Sequence, residues 1–165
     1  MKERFSNKTA IAPTASISII CGGSSPGIEP IAANSYTHKT LSGSFNVRNK
    51  YLKKILSKYK KDTDDVWSSI TTNQGSVSHL DFLTAEEKDT FKTAFEIDQR
   101  WIVELGADRT PHISQAQSIN IFIPADIHKK DLHNLHFQAW KKGLKSLYYC
   151  RSKSCLLYTS PSPRD

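Results

Sequence analysis

The sequence predicts an α/β fold, from three stretches near its C-terminal end. Ser118-Ile-Asn-Ile-Phe-Ile-Pro124 alternates like a strand and stops at a proline. From about His128 to Ser146, Leu132, Leu135, Ala139, Trp140 and Leu144 recur at helical spacing. Leu147-Tyr-Tyr-Cys150 then reads as a second short strand. Strand, long helix, strand is the pattern of a crossover unit in a parallel or mixed sheet.

The rest of the chain fits the same class. Thr9 to Pro30 is small, hydroxyl-rich and punctuated by Pro13, Gly22-Gly23 and Pro26-Gly27. It reads as two loops around a short helix that begins near Ser16. No strand is evident for these loops to dock on. Ser35 to Val47 is β-branched and aromatic around a Ser42-Gly43 turn, which predicts extended structure. A basic helix follows over roughly Lys50 to Lys60, and another near Asp64 to Thr72, with aspartates at its positive end. Thr84-Ala-Glu-Glu87 has capping-box spacing, and Phe91, Phe95, Ile102 and Leu105 continue a helical stripe to about Gly106. No internal repeat is present, and one domain, or part of one, is expected.

Composition narrows the function. With 165 residues, 38% hydrophobic and 24% charged, the chain can bury a core. No apolar run approaches the roughly 20 residues that span a bilayer. The N-terminus does not read as a signal peptide, so a soluble cytoplasmic protein without membrane contact is expected. The net charge of +7 raises nucleic acid as a partner. However, the lysines of Lys50 to Lys61 lie opposite an apolar stripe of Tyr51, Leu52, Ile55, Leu56 and Tyr59, as on a solvated helix face. Cys21, Cys150 and Cys155 form no metal-site spacing and no disulfide framework. His133 and His136 share a helix face without a third ligand, so no metal site is expected.

Two short stretches carry chemistry. Pro13-Thr-Ala-Ser-Ile17 begins a helix whose first amides have no internal acceptor and carry partial positive charge, a setting suited to phosphate. A generic serine- and threonine-rich turn has the same composition, and the residues alone leave both readings open. The spacing of a Walker loop is absent. Tyr148-Tyr149 would ordinarily be half core and half surface, with Lys145, Arg151 and Lys153 around it.

Taken together these stretches resemble a known family. Thr9-Ala-Ile-Ala-Pro-Thr-Ala-Ser-Ile-Ser18 with Gly27-Ile-Glu-Pro30 is similar to the substrate-diphosphate loop of ribonucleotide reductase catalytic subunits. Leu41-Ser-Gly43, Gln115-Ala-Gln-Ser-Ile-Asn120 and His136-Phe-Gln-Ala-Trp-Lys-Lys-Gly-Leu-Lys-Ser-Leu-Tyr-Tyr149 match in order downstream. The Tyr-Tyr pair favours class I over the cobalamin-dependent class II.

The resemblance implies that residues 1–154 are the C-terminal part of a ten-stranded α/β barrel, incomplete and inactive alone. Thr14, Ala15, Ser16 and Ile17 would contact the substrate phosphates, and Tyr148 and Tyr149 would relay a radical. Two flat rings on consecutive strand residues should face opposite ways, so a stacked relay requires local distortion. Implied partners are a ribonucleoside diphosphate, the radical-generating small subunit, the remainder of the large subunit and a second large subunit, with no DNA. This segment would bind no cofactor. The parent would rely on the small subunit's metal and radical cofactor and on thioredoxin or glutaredoxin. Its ATP/dATP effector site would lie outside the segment, as would the thiyl-forming and redox cysteines. Cys21 is expected to be a small packed residue. Residues 155–165, Cys155-Leu-Leu-Tyr-Thr-Ser-Pro-Ser-Pro-Arg-Asp165, resemble translated sequencing adapter and are expected to be an artefactual, disordered tail. A free-standing basic module that binds phosphate or nucleic acid is the reading from a different class.

Overall fold

The computed structural model describes residues 4–22, 25–40 and 43–153. The Leu41-Ser42 half of the first turn and the tail 155–165 lie outside the described residues. The chain divides into two compact units, one from residues 1–29 with 97–153 and the other from residues 30–96.

In the second unit, β1 (Ser35–Thr40) and β2 (Gly43–Arg48) pair antiparallel, with Tyr36 opposite Val47 and His38 opposite Phe45. Helix α2 (Lys50–Lys58) starts where the Asn49 side chain accepts the amides of Tyr51 and Leu52. Helix α3 (Asp64–Thr72) is capped by Thr63, and Asp64 and Asp65 complement its dipole. Leu52, Leu56, Trp67, Ile70, Val77, Leu80 and Leu83 form the core, with Ile55 and Tyr59 packed against it. Most of the α2 stripe therefore turns inward as its spacing predicts, while Tyr51, at the first turn, is exposed instead. The α2 lysines remain on the outer face.

Asn34 is the polar hub of this unit and is buried. Its Nδ2 donates to the Gly75 and Phe91 carbonyls at 3.0 and 2.7 Å. Its Oδ1 accepts from Asn49 Nδ2 at 2.8 Å. Gly75, at φ +80°, presses its backbone against Ala33 and Asn34, where a Cβ would overlap.

The helical stripe expected from Thr84 to Gly106 is broken. The capping box forms, but α4 (Ala85–Thr90) ends at once, and a single 3-10 turn at Ala94–Glu96 follows. Glu96 turns its carboxylate back onto the amide and hydroxyl of Thr93 at 2.8 Å, and Asp98 caps a new helix, α5 (Gln99–Arg109). These side chains offer the backbone partners that compete with a continuous helix. Leu105, assigned to the stripe, is exposed instead.

The first unit holds the expected crossover. β3 (Ile121–Ile123) pairs parallel with β4 (Cys150–Ser152), and α6 (Lys129–Lys141) connects them. Val103, Ile121, Ile123, Leu135 and Ala139 form its core. Two boundaries differ from the sequence reading. Helix α6 stops at Lys142 because Gly143 takes φ +82°, and Trp140, expected on the core face, is 71% exposed. The regular strand begins at Cys150, after the tyrosines rather than on them.

The leading loop also finds a partner. Ile11 bridges in parallel to Gln117, and Thr9 exchanges hydrogen bonds with Ser114, its Oγ1 accepting the Ser114 amide at 2.9 Å. The segment docks on chain roughly a hundred residues downstream. No helix among the described residues is long and apolar enough to cross a membrane.

Candidate functional site

The candidate phosphate turn starts α1 (Ala15–Ile20). Thr14 donates its amide to the Pro26 carbonyl at 3.3 Å, so that amide is already engaged. Ser18, buried, closes the turn by donating its amide to Thr14 O and its hydroxyl to Ala15 O, both at 2.8 Å. Ala15, Ser16 and Ile17 are exposed. Their amides lie in the first turn, where no intrahelical acceptor exists. The expected set of four therefore divides. Ala15, Ser16 and Ile17 lie on the exposed first turn, whereas Thr14 is half-buried with its amide engaged.

Pro26 belongs to a second loop. Ser25 Oγ donates to the Glu29 carbonyl oxygen at 2.8 Å, and the Glu29 side chain is buried, 6% exposed. The Glu29 carboxylate accepts from Asn120 twice, from its backbone amide and from Nδ2, the latter at 3.2 Å. Gly27 passes so close to that carboxylate that a Cβ would overlap Oε2. The segment around Asn120 is itself anchored. Gln117, buried, donates Nε2 to Gly106 O at 2.8 Å and accepts from Arg109 Nε at 3.1 Å.

The tyrosines bond to the residues that flank Asn120. Tyr148 donates its amide to Ile119 O, and Tyr149 O accepts the Ile121 amide, both at 2.8 Å. The two rings have centroids 4.2 Å apart with planes inclined at 56°, and each tyrosine is 46% exposed. The pair precedes the regular strand, and its rings meet instead of facing opposite ways. Arg151 sets its guanidinium 5.2 Å from the Tyr149 ring centre. Lys145 donates Nζ to the Ile113 and Ser114 carbonyls at 3.3 and 2.5 Å.

His133 stacks on Phe137, His136 Nδ1 lies 2.8 Å from Leu132 O, and the described residues hold no group of metal-ligating side chains. Cys21 is exposed rather than packed, because α1 ends at Ile20 and leaves it in the following turn. Burial pushes the Cys150 thiol up, away from the thiolate form.

A family model described as ribonucleotide reductase, barrel domain, matches residues 3–150. The chain belongs to that family. This reductase segment is 53% identical over 154 residues to the ribonucleoside-diphosphate reductase large subunit of Invertebrate iridescent virus 6, covering 91% of the chain and 16% of the relative. It is 37% identical over 142 residues to the large subunit from Caenorhabditis elegans, covering 86% of the chain and 18% of that protein. Among solved structures, the Actinobacillus ureae class Id ribonucleotide reductase alpha subunit superposes with a TM-score of 0.78 at 42% identity, over 91% of this chain and 27% of that one. The reductase segment thus spans only 16% to 27% of the length of these relatives, and its barrel is incomplete.

Within the reductase segment, two residues with structural weight stand in the sequence only as parts of longer family-like stretches. Glu29 and Asn120 lie 91 positions apart. The sole signal available was that Gly27-Ile-Glu-Pro30 and Gln115 to Asn120 both match the family.

Proposed function

We propose that this chain is the part of a class I ribonucleoside-diphosphate reductase large subunit that seats the substrate diphosphate and delivers the radical. The phosphates sit on the amides of Ala15, Ser16 and Ile17 with Thr14 beside them, since a helix start favours an anion. The pair Tyr148 and Tyr149 carries the radical. Tyr149 gives an electron and a proton towards the small subunit, takes both from Tyr148, and Tyr148 in turn takes a hydrogen atom from a cysteine thiol elsewhere in the parent. In the intact enzyme the ribose 2′-hydroxyl then leaves as water while a dithiol is oxidised to a disulfide, later reduced by thioredoxin or glutaredoxin.

The observation that supports this most is the contact of the two phenol rings on a half-exposed edge. One face of the pair reaches solvent, where a partner subunit can meet it. Proximity of this kind is what hydrogen-atom transfer requires. A second large subunit, ATP and dATP control and a cytoplasmic setting belong to the same reading.

The test uses the full-length large subunit with its small subunit. Tyr148→Phe and Tyr149→Phe are expected to bind a ribonucleoside diphosphate normally and to lose turnover to the assay background. Normal turnover by either variant, or restoration of activity by cobalamin without a small subunit, would reject the class I assignment.

A further inference from the structure

Glu29 is a buried carboxylate that neither binds phosphate nor carries a radical in the reading above. Its partners place it between the two functions. Its loop supplies the Pro26 carbonyl that receives the Thr14 amide, so the loop sets where the phosphate turn begins. Its carboxylate accepts both the backbone and the side-chain N–H of Asn120. Asn120 lies between Ile119 and Ile121, whose backbone groups bond to Tyr148 and Tyr149. One side chain therefore closes a short path from the turn at Thr14 to Ile17 to the backbone that carries the two tyrosines.

Three details indicate that this link is specific. Gly27 leaves no room for a side chain beside Oε2, so the loop is shaped around the carboxylate. Ser25 holds the Glu29 backbone in place from the other end of the loop. Asn120 commits its amino group to Glu29, and its buried Oδ1 has no hydrogen-bond partner among the described residues. An orphaned buried carbonyl is unfavourable. It persists here where the donor side of the same amide is needed for Glu29.

We propose that Glu29, through Asn120, is a positioning residue that holds the substrate-phosphate turn in register with the tyrosine pair, so that an occupied turn is felt at Tyr149. The inference rests on the assignments of the preceding subsection. A carboxylate suits the task because it accepts two donors at once with fixed geometry. Glutamine at the same place accepts one of them and turns its own N–H₂ toward the other. Aspartate is shorter by one methylene and draws the loop inward.

The experiment uses the full-length large subunit with a fluorotyrosine at position 149, its small subunit, and CDP as the probe. In the parent, CDP binding is expected to move the fluorine resonance. In Glu29→Gln, kcat is expected to fall roughly tenfold to a hundredfold, the range in which small misplacements act. CDP affinity is expected to fall much less, and the CDP-induced resonance shift to disappear. The double variant Glu29→Gln with Asn120→Asp restores a donor and acceptor across the pair and is expected to recover part of both kcat and the shift. The proposal is overturned if CDP leaves the parent resonance unmoved, or if Glu29→Gln keeps both kcat and the shift. It is equally overturned if kcat and CDP affinity fall together with thermal stability and the double variant recovers nothing, which marks a purely structural residue. Failure of the relay itself reads differently, since Tyr149→Phe would then turn over normally whatever Glu29 does.

Discussion

The guanidinium of Arg151 lies over the ring of Tyr149, 5.2 Å from its centre, two residues along the same chain. Tyr149 thus carries Tyr148 as a ring neighbour and Arg151 as a cation against its π-system. Together they restrict the rotamers of a side chain that is nearly half exposed. An exposed cation–π contact is worth about 0.5–1 kcal/mol, enough to bias a ring position.

Removing that cation should loosen the ring without unfolding the chain. Arg151→Gln is expected to broaden or shift the resonance of a fluorotyrosine at position 149, while Arg151→Lys keeps most of the parental spectrum. Identical spectra for the parent and Arg151→Gln would show that the cation does not hold the ring.

Charge at the phosphate turn provides a second test. Ser16→Asp places a carboxylate among the amides proposed to receive the diphosphate, and like charges repel. Diphosphate affinity in the full-length subunit is expected to fall about tenfold, or about 1.4 kcal/mol, by equilibrium binding. Unchanged affinity would place the phosphates elsewhere.

In the unit of residues 30–96, Asn34 supports three stretches of backbone at once through Asn49, Gly75 and Phe91. Asn34→Ala removes the side-chain donor to the Phe91 carbonyl and the acceptor of Asn49 Nδ2, while Gly75 O keeps the backbone amide of residue 34. Each unsatisfied group costs about 1–3 kcal/mol, so a loss of roughly 3 kcal/mol in a chemical denaturation experiment is expected. A change below about 0.5 kcal/mol would mean that water replaces the side chain.

Acid should loosen the same unit. The Trp67 indole N–H donates to Asp62 at 2.7 Å, and that hydrogen bond, ahead of the nearby lysine charge, holds the Asp62 carboxyl below its usual range. The Thr84 backbone amide does the same for Glu87, helped by the Tyr59 hydroxyl. Both carboxyls titrate lower in the folded chain than in the unfolded one. Their contribution is therefore present above the ordinary carboxyl range near pH 4 and is lost as pH falls through the lowered folded values. Thermal melts between about pH 6 and pH 2 should show a decline that is shallower in Asp62→Asn. Parallel profiles for the parent and Asp62→Asn would exclude Asp62 from it.

The exposed faces of α5 and α6 make the last prediction. Trp101 and Leu105 on one, and Phe137 and Trp140 on the other, stand in solvent. Large apolar patches of this kind promote association. The chain alone is expected to self-associate in sedimentation, and Trp101→Glu with Trp140→Lys to reduce it. A monodisperse parent would argue that these faces need no cover.

Local chemistry was legible in the residues wherever it acts over a few positions. The apolar stripe of Leu52, Ile55, Leu56 and Tyr59, the aspartates at the start of α3 and the Thr84 capping box all set their elements. So did the alternation of Ser118 to Pro124, with the crossover that follows. Periodicity misled where a competing side-chain contact intervened. Glu96 and Asp98 break one apparent helix into three pieces, and Gly143 ends α6 before Leu144.

The sequence by itself determined the class of fold, through residue type and near spacing, and the family, through the resemblance of its ordered motifs. Only the tertiary structure decided that Thr14 spends its amide on Pro26, that the rings of Tyr148 and Tyr149 meet, and that Glu29 reaches Asn120. The physical reason is distance along the chain. Contacts between residues separated by dozens of positions are set by how whole elements pack, and no local pattern around Glu29 or Asn120 encodes the other.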